Sequence, residues 1–279
     1  MRSLIISEHI INFAHHLKLA EKSEATVTKY TRDVRKFFEQ LGDKSLTKEN
    51  IIDYKAYLIS AGRKITGVNA VVAAINSFAE FAGLPDLKVK PCKVQRQQFR
   101  DSNREMTRQE YNQLLAAALD RGNRQLWLIM QTICSTGIRV SELSFVTVEA
   151  VHLKQITVTN KGKTRRIPLT DKLCEKLSAY IRKVSLVSGW VFVGSDGQPL
   201  RRNAVWREMK KLCTQAGVAT QKVFPHNLRH LFGVTFYLRE RDIVKLAAIL
   251  GDSDVNTTWI YTLESDIMYR VGLDLGLVA

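Results

Sequence analysis

One stretch, residues 224–262, limits what this chain can be more than any other. It opens with Pro225-His226-Asn227-Leu228-Arg229-His230 and closes with Leu250-Gly251-Asp252, followed by Thr257-Thr258-Trp259-Ile260-Tyr261. Proline suits the first turn of a helix, where its missing N–H costs nothing. His226 and Arg229, three apart, then share a helix face. Residues 231–249 keep a helical pattern, Gly251 can stop the next helix, and Thr257 or Thr258 can cap a last short helix that carries Tyr261. An imidazole, a guanidinium and a phenol are thus delivered from separate helix ends. The guanidinium fork matches phosphate oxygens. The imidazole donates to such an oxygen or moves a proton near neutral pH. The phenol can attack and hold a covalent intermediate. The set suits transfer of a phosphodiester onto a phenol without a metal.

Such chemistry needs a polyanionic partner, and the charge balance agrees. Lys and Arg number 42 against 27 Asp and Glu, a net charge of +15, which points to nucleic acid. No apolar run approaches the roughly 20 residues of a membrane helix. Residues 4–6 are too short for a signal-peptide core, and Glu8 follows at once. Cys92, Cys134, Cys174 and Cys213 show no metal-ligand spacing and read as reduced thiols of a cytoplasmic protein.

Upstream, the periodicity predicts four short amphipathic helices. Ser7 can cap the first, with Ile10, Ile11, Ala14 and Leu17 inward. Ser23 opens the second, Thr47 the third and Thr66 the fourth, and Gly62 and Gly83 stop the last two. Residues 1–86 therefore read as a small helical domain. Residues 87–104 carry Lys88, Lys90, Lys93, Arg96, Arg100 and Arg104 without a clear period, and read as a basic linker able to follow a phosphate backbone. Residues 105–279 form the second domain. Thr107 and Glu110 make a capping box, and residues 126–134 a buried helix. Residues 151–159 and 165–169 make a β-hairpin with a basic tip. Residues 171–184 and 203–216 are helices, and 190–193 a short buried strand. The apolar tail beyond Thr262 packs on its own domain or reaches a neighbouring subunit.

The two motifs of residues 224–262, in their order and spacing, resemble the signature of the tyrosine recombinases, the phage integrase family. That family carries His-x-x-Arg, then Leu-Gly-His, then a tyrosine nine residues on. Here Tyr261 follows Asp252 by nine, and Asp252 stands where the family has its second histidine. The resemblance implies a mainly α fold with a small β-sheet: an N-terminal four-helix, SAM-like core-binding domain and an α+β catalytic domain. It makes Arg139, in Thr136-Gly137-Ile138-Arg139, the first catalytic arginine, with Glu142 orienting it. Lys161, at the hairpin turn, becomes the catalytic lysine. Arg139, Lys161, His226, Arg229, Asp252 and Tyr261 are then the site. The implied activity is site-specific breaking and rejoining of double-stranded DNA through a 3′-phosphotyrosine. It needs no cofactor, ATP or metal, and the working assembly is a homotetramer on DNA. An acid at position 252 leaves three arrangements open: protonated beside a phosphate; bracing Arg139, Arg229 or His226; or holding the site in a weak state until a partner aligns it.

Two other classes stay open on the residues themselves. His226 and His230 lie four apart, a zinc-compatible spacing with Asp252 as a third ligand, which would make a metal-dependent nuclease. Asp252 would equally suit a DNA-binding member with weakened catalysis, because an ionised carboxylate accepts hydrogen bonds but donates none.

Overall fold

Serine and threonine caps do much to set where the helices begin. The structure, a computed structural model, describes residues 2–94, 101, 103–160, 163–252 and 254–263. The chain divides into two compact units, Met1–Arg96 and Gln97–Ala279.

The first unit is built from α1 (Arg2–Leu19), α2 (Glu24–Leu41), α3 (Lys48–Ser60) and α4 (Ile65–Phe81). Ser23 caps α2 by accepting the Thr26 N–H, and Thr47 caps α3 by accepting that of Asn50. Two expected caps are corrected. Ser7 lies inside α1, and α4 starts at Ile65 after Lys64, with no side-chain cap. One inward residue is corrected as well. Ile11 is 66% exposed, and Phe13, fully buried, takes the inward place between Ile10 and Leu17. The faces at 10, 13 and 17 follow the helical repeat, and Phe13 meets Phe78 of α4 edge-on at 5.3 Å. The chain after α4 is not a free tether at its start. Asn76 exchanges two hydrogen bonds with the backbone of Val89, and Asn69 two with Cys92, which pins residues 89–92 along α4 like an added strand. Val89 is buried there. Residues 95–100 of the basic stretch lie outside the described residues.

The second unit centres on α6 (Arg124–Thr136), whose Leu128, Ile129, Met130 and Ile133 are fully buried. It is preceded by α5 (Arg108–Asp120), held at its start by the reciprocal Thr107–Glu110 bonds. A 3-10 turn, Val140–Phe145, leads to α7 (Val148–His152). The expected strand at 151–159 is therefore shorter: α7 takes its first residues, and β1 runs Gln155–Asn160, paired antiparallel with β2, Lys163–Pro168. Ile156, Val158 and Ile167 face the core. The expected strand at 190–193 is reduced to isolated bridges, Thr147 with Trp190 and Val193 with Pro199. Next come α8 (Asp171–Lys183), α9 (Arg202–Lys211) and α10 (Cys213–Ala216), where one helix was expected over 203–216. The helical pattern across 231–249 is divided between α11 (Pro225–Glu240) and α12 (Ile243–Leu250), the latter ending before Gly251. Arg241 takes a left-handed φ of 53°, and Asp242 caps α12 through the Lys245 N–H. The last short helix, α13 (Val255–Thr258), is capped by Asp254 rather than by either threonine. No helix among the described residues is long and apolar enough to cross a membrane.

Candidate functional site: two arginines on one carboxylate

Arg139 leaves the end of α6 and turns back on Glu142. Its backbone N–H donates to Glu142 Oε2 at 2.7 Å and its Nη1 to Oε1 at 3.2 Å. Its Nη2 donates to Asp252 Oδ1 at 2.7 Å. Arg229, on the first turns of α11, sends Nη2 to the same oxygen at 3.0 Å and Nη1 to the Gly137 carbonyl at 2.7 Å. Both arginines also reach the Leu250 carbonyl, at 3.4 and 3.1 Å. The Thr258 hydroxyl donates to the other Asp252 oxygen at 3.2 Å. One carboxylate thus holds two guanidiniums side by side. Of the three arrangements open for Asp252, this is the bracing one, and it braces Arg139 and Arg229 rather than His226. Both Asp252 and Arg229 side chains are buried, at 6% and 3% exposure, while Arg139 keeps 36%.

Glu142 is the second buried acid. Burial pushes its carboxyl up, but hydrogen bonds from Arg165 and the Arg139 N–H, with the charges of both arginines, outweigh this and hold it below the usual carboxylate range. Arg165 is a residue that the motifs do not announce. It donates Nη1 and Nη2 to the two Glu142 oxygens at 3.1 and 2.7 Å. A signal was present: Arg165 pairs with buried Val158 and shares the strand phase of buried Ile167, so a charge sits where an apolar residue belongs.

Tyr261 is buried at the end of a 3-10 turn that follows α13. Its ring lies on Gly233 of α11. A Cβ there would stand 2.6 Å from Tyr261 Cδ1, so only glycine leaves room for the ring. The ring centroid is 5.1 Å from that of His230, whose Nε2 is 2.9 Å from Glu105 Oε1. Burial raises the phenol pKa, and the adjacent Arg229 guanidinium pulls it back. His226, at the start of α11, is exposed. Loss of water around its ring, and then the charge of Arg229, draw its pKa below the ordinary imidazole value. A pocket of about 620 Å³ opens beside it, lined among others by Arg139, Arg202, Trp206, His226 and Arg229. Five of the six expected residues thus belong to one neighbourhood of the second unit. Lys161, the sixth, lies outside the described residues, between the ends of β1 and β2.

The zinc arrangement is not what the side chains form. His230 is turned to Glu105 and Asp252 to the arginines, and among the described residues no three His, Cys, Asp or Glu gather as a metal site.

Residues 104–266 match the model of the phage integrase family, and residues 10–83 that of the phage integrase N-terminal SAM-like domain. The chain belongs to the phage integrase family. It is 30% identical over 265 residues to the tyrosine recombinase XerA of Pyrococcus furiosus, covering 92% of this chain and 89% of that protein. To the tyrosine recombinase XerD of Halalkalibacterium halodurans it is 27% identical, covering 92% and 93%. Its fold is also that of a lambda integrase tetramer bound to a Holliday junction, with a TM-score of 0.72 at 17% identity over 93% of this chain and 79% of that one. As a tyrosine recombinase it cleaves DNA and transfers strands at specific sites.

Proposed function

We propose that Arg139 and Arg229 clamp the scissile phosphate and that Tyr261 is the nucleophile. The observation that supports this reading most is the shared Asp252 oxygen, which sets the two guanidiniums next to each other and next to the buried phenol. The phenol oxygen of Tyr261 forms a bond to phosphorus while the bond to the 5′ oxygen breaks. The tyrosine gives up its proton to solvent, and Lys161 supplies one to the leaving 5′ oxygen. A 5′-hydroxyl of another strand then reverses the steps, so the bond energy is kept and no ATP or metal takes part. Positioning and charge stabilisation carry most of such a transfer.

The acid at position 252 changes the charge balance. Arg139, Arg165 and Arg229 stand against Glu142 and Asp252. That surplus is small for a phosphorane, so His226 and Lys161 supply the remaining donors. The enzyme works in the cytoplasm, on specific duplex sites, as a homotetramer; the lambda integrase tetramer on a Holliday junction supports the last point by fold alone. Within the chain, residues 1–86 bind the duplex, 87–104 link the units, and 105–279 carry the chemistry.

The test uses a duplex whose sequence the chain enriches from a randomised pool. With chelator present, two such duplexes should exchange strands, and Tyr261→Phe should abolish exchange while leaving binding intact. Exchange that requires a divalent metal would sink the reading.

A further inference from the structure

We propose that Arg165 is the positioning residue of this site, a strut that sets the aim of both clamp arginines; the proposal rests on the clamp reading above. Arg165 reaches from β2 to two anchors. One is Glu142, engaged through both carboxylate oxygens at 3.1 and 2.7 Å. The other is the end of α12, where Nε donates to the Ile249 carbonyl at 3.2 Å. Each anchor leads to the clamp by its own route. Glu142 holds Arg139 through the backbone N–H and Nη1. The end of α12 carries the Leu250 carbonyl and Asp252, which between them accept from Arg139 and Arg229.

The guanidinium also explains the glycine beneath it. Gly251 has a φ of 67°, a conformation asparagine can share, but a Cβ at that place would stand 2.6 Å from Arg165 Nη1. The backbone is left bare so that the fork can lie across it. At 15% side-chain exposure Arg165 is more enclosed than Arg139, at 36%, and it does not line the pocket beside His226. It therefore acts through Glu142 and the α12 end, not on the phosphate. Without it, Glu142 would have only Arg139 as a cationic partner and would draw that side chain away from Asp252. Lysine cannot replace it, because a single ammonium cannot span two carboxylate oxygens and a carbonyl in one plane.

The experiment compares Arg165→Ala and Arg165→Lys with wild type on two nicked duplexes of the pool-selected sequence, one with an ordinary scissile phosphate and one with an uncharged methylphosphonate there. Both variants should bind DNA as wild type does. On the phosphate each should cleave about 10- to 100-fold more slowly, by analogy with the cost of losing a group that orients a metal ligand. On the methylphosphonate, which asks less of the guanidiniums, that deficit should shrink to about threefold or less. An equal deficit on both substrates in folded protein would make Arg165 a packing residue only and overturn the proposal, as would full activity of Arg165→Lys. Arg165→Lys carries the test if Arg165→Ala does not fold. A wild type that cleaves neither duplex would count against the clamp reading instead. The strut is then tested without DNA: the Nε–H resonances of Arg139 and Arg229 in the free protein should shift or broaden in Arg165→Lys, and unchanged resonances would overturn it.

Discussion

The residue that departs from the family pattern, Asp252, is also the one that does the most local work. It lies between two arginines that would otherwise repel each other, one of them almost wholly buried. Removing one partner of a buried pair leaves a charge without compensation, so Asp252→Ala should lower stability by roughly 3 kcal/mol. Asp252→Asn keeps an oxygen between the guanidiniums and should cost less; chemical denaturation of both variants measures the difference, and equal losses would show that the shared oxygen matters little. At Arg229 the fork is the point. Arg229→Lys keeps the charge and loses the geometry, and cleavage should fall by at least about 10²-fold, as for loss of one transition-state donor. Near-normal single-turnover cleavage by that variant would contradict the clamp. His226, Arg229, Asp252 and Tyr261, which the fold brings into one neighbourhood, stood out in the sequence because two motifs keep fixed spacing. Asp252 bracing an arginine was one of the arrangements the sequence left open, but the choice among its partners, and the part of Arg165, were not readable, because the contacts join separate segments, from 23 residues apart for Arg165 with Glu142 to 113 for Arg139 with Asp252.

At the scale of elements, periodicity located most helices but not their ends. Apolar spacing runs on past residue 240, so the sequence does not place the boundary between α11 and α12; a left-handed Arg241 and the cap at Asp242 set it. That break lets the end of α12 turn under Arg139. In α1, Ile11 and Phe13 are both apolar, and Phe13, in helical phase with Ile10 and Leu17, is the one that turns in to meet Phe78. The Gly233 seat on α11 makes a prediction of its own. Alanine favours helix over glycine by about 1 kcal/mol, yet Gly233→Ala should displace the Tyr261 ring and cut covalent adduct formation at least about 10-fold, by analogy with misplaced reacting groups. Helix content by circular dichroism should not fall; unaltered adduct yield would refute the seat. The start of α11 predicts a pH effect. The His226 pKa is lowered in the fold, so its neutral form is favoured there. Its contribution is present above the ordinary imidazole value and is lost as pH falls through the lowered one. His226→Gln should flatten the loss of stability in that window, and an NMR titration of the ring should place its midpoint below that of a free imidazole.

For the whole molecule, the charge of +15 and the basic residues of 87–104 predict binding that weakens steeply with salt, since each neutralised phosphate releases counterions. A fragment from Glu105 onward should bind the selected duplex much more weakly than the full chain; equal affinity would mean that the helical unit and linker contribute nothing. The strong basic balance and the helical repeat made the two-part, DNA-directed organisation legible in sequence. What sequence missed was that residues 89–92 lie along α4, because two asparagine side chains, not an apolar pattern, hold them there.

The central claim is that this site joins DNA to one particular phenol. The direct measurement is to trap the covalent adduct on a nicked duplex in chelator, digest it, and map the modified peptide by mass spectrometry. The modified residue should be Tyr261, with the 3′ phosphate of the cleaved strand attached. A phosphate mapped to Tyr269, or to any residue other than Tyr261, would contradict the account.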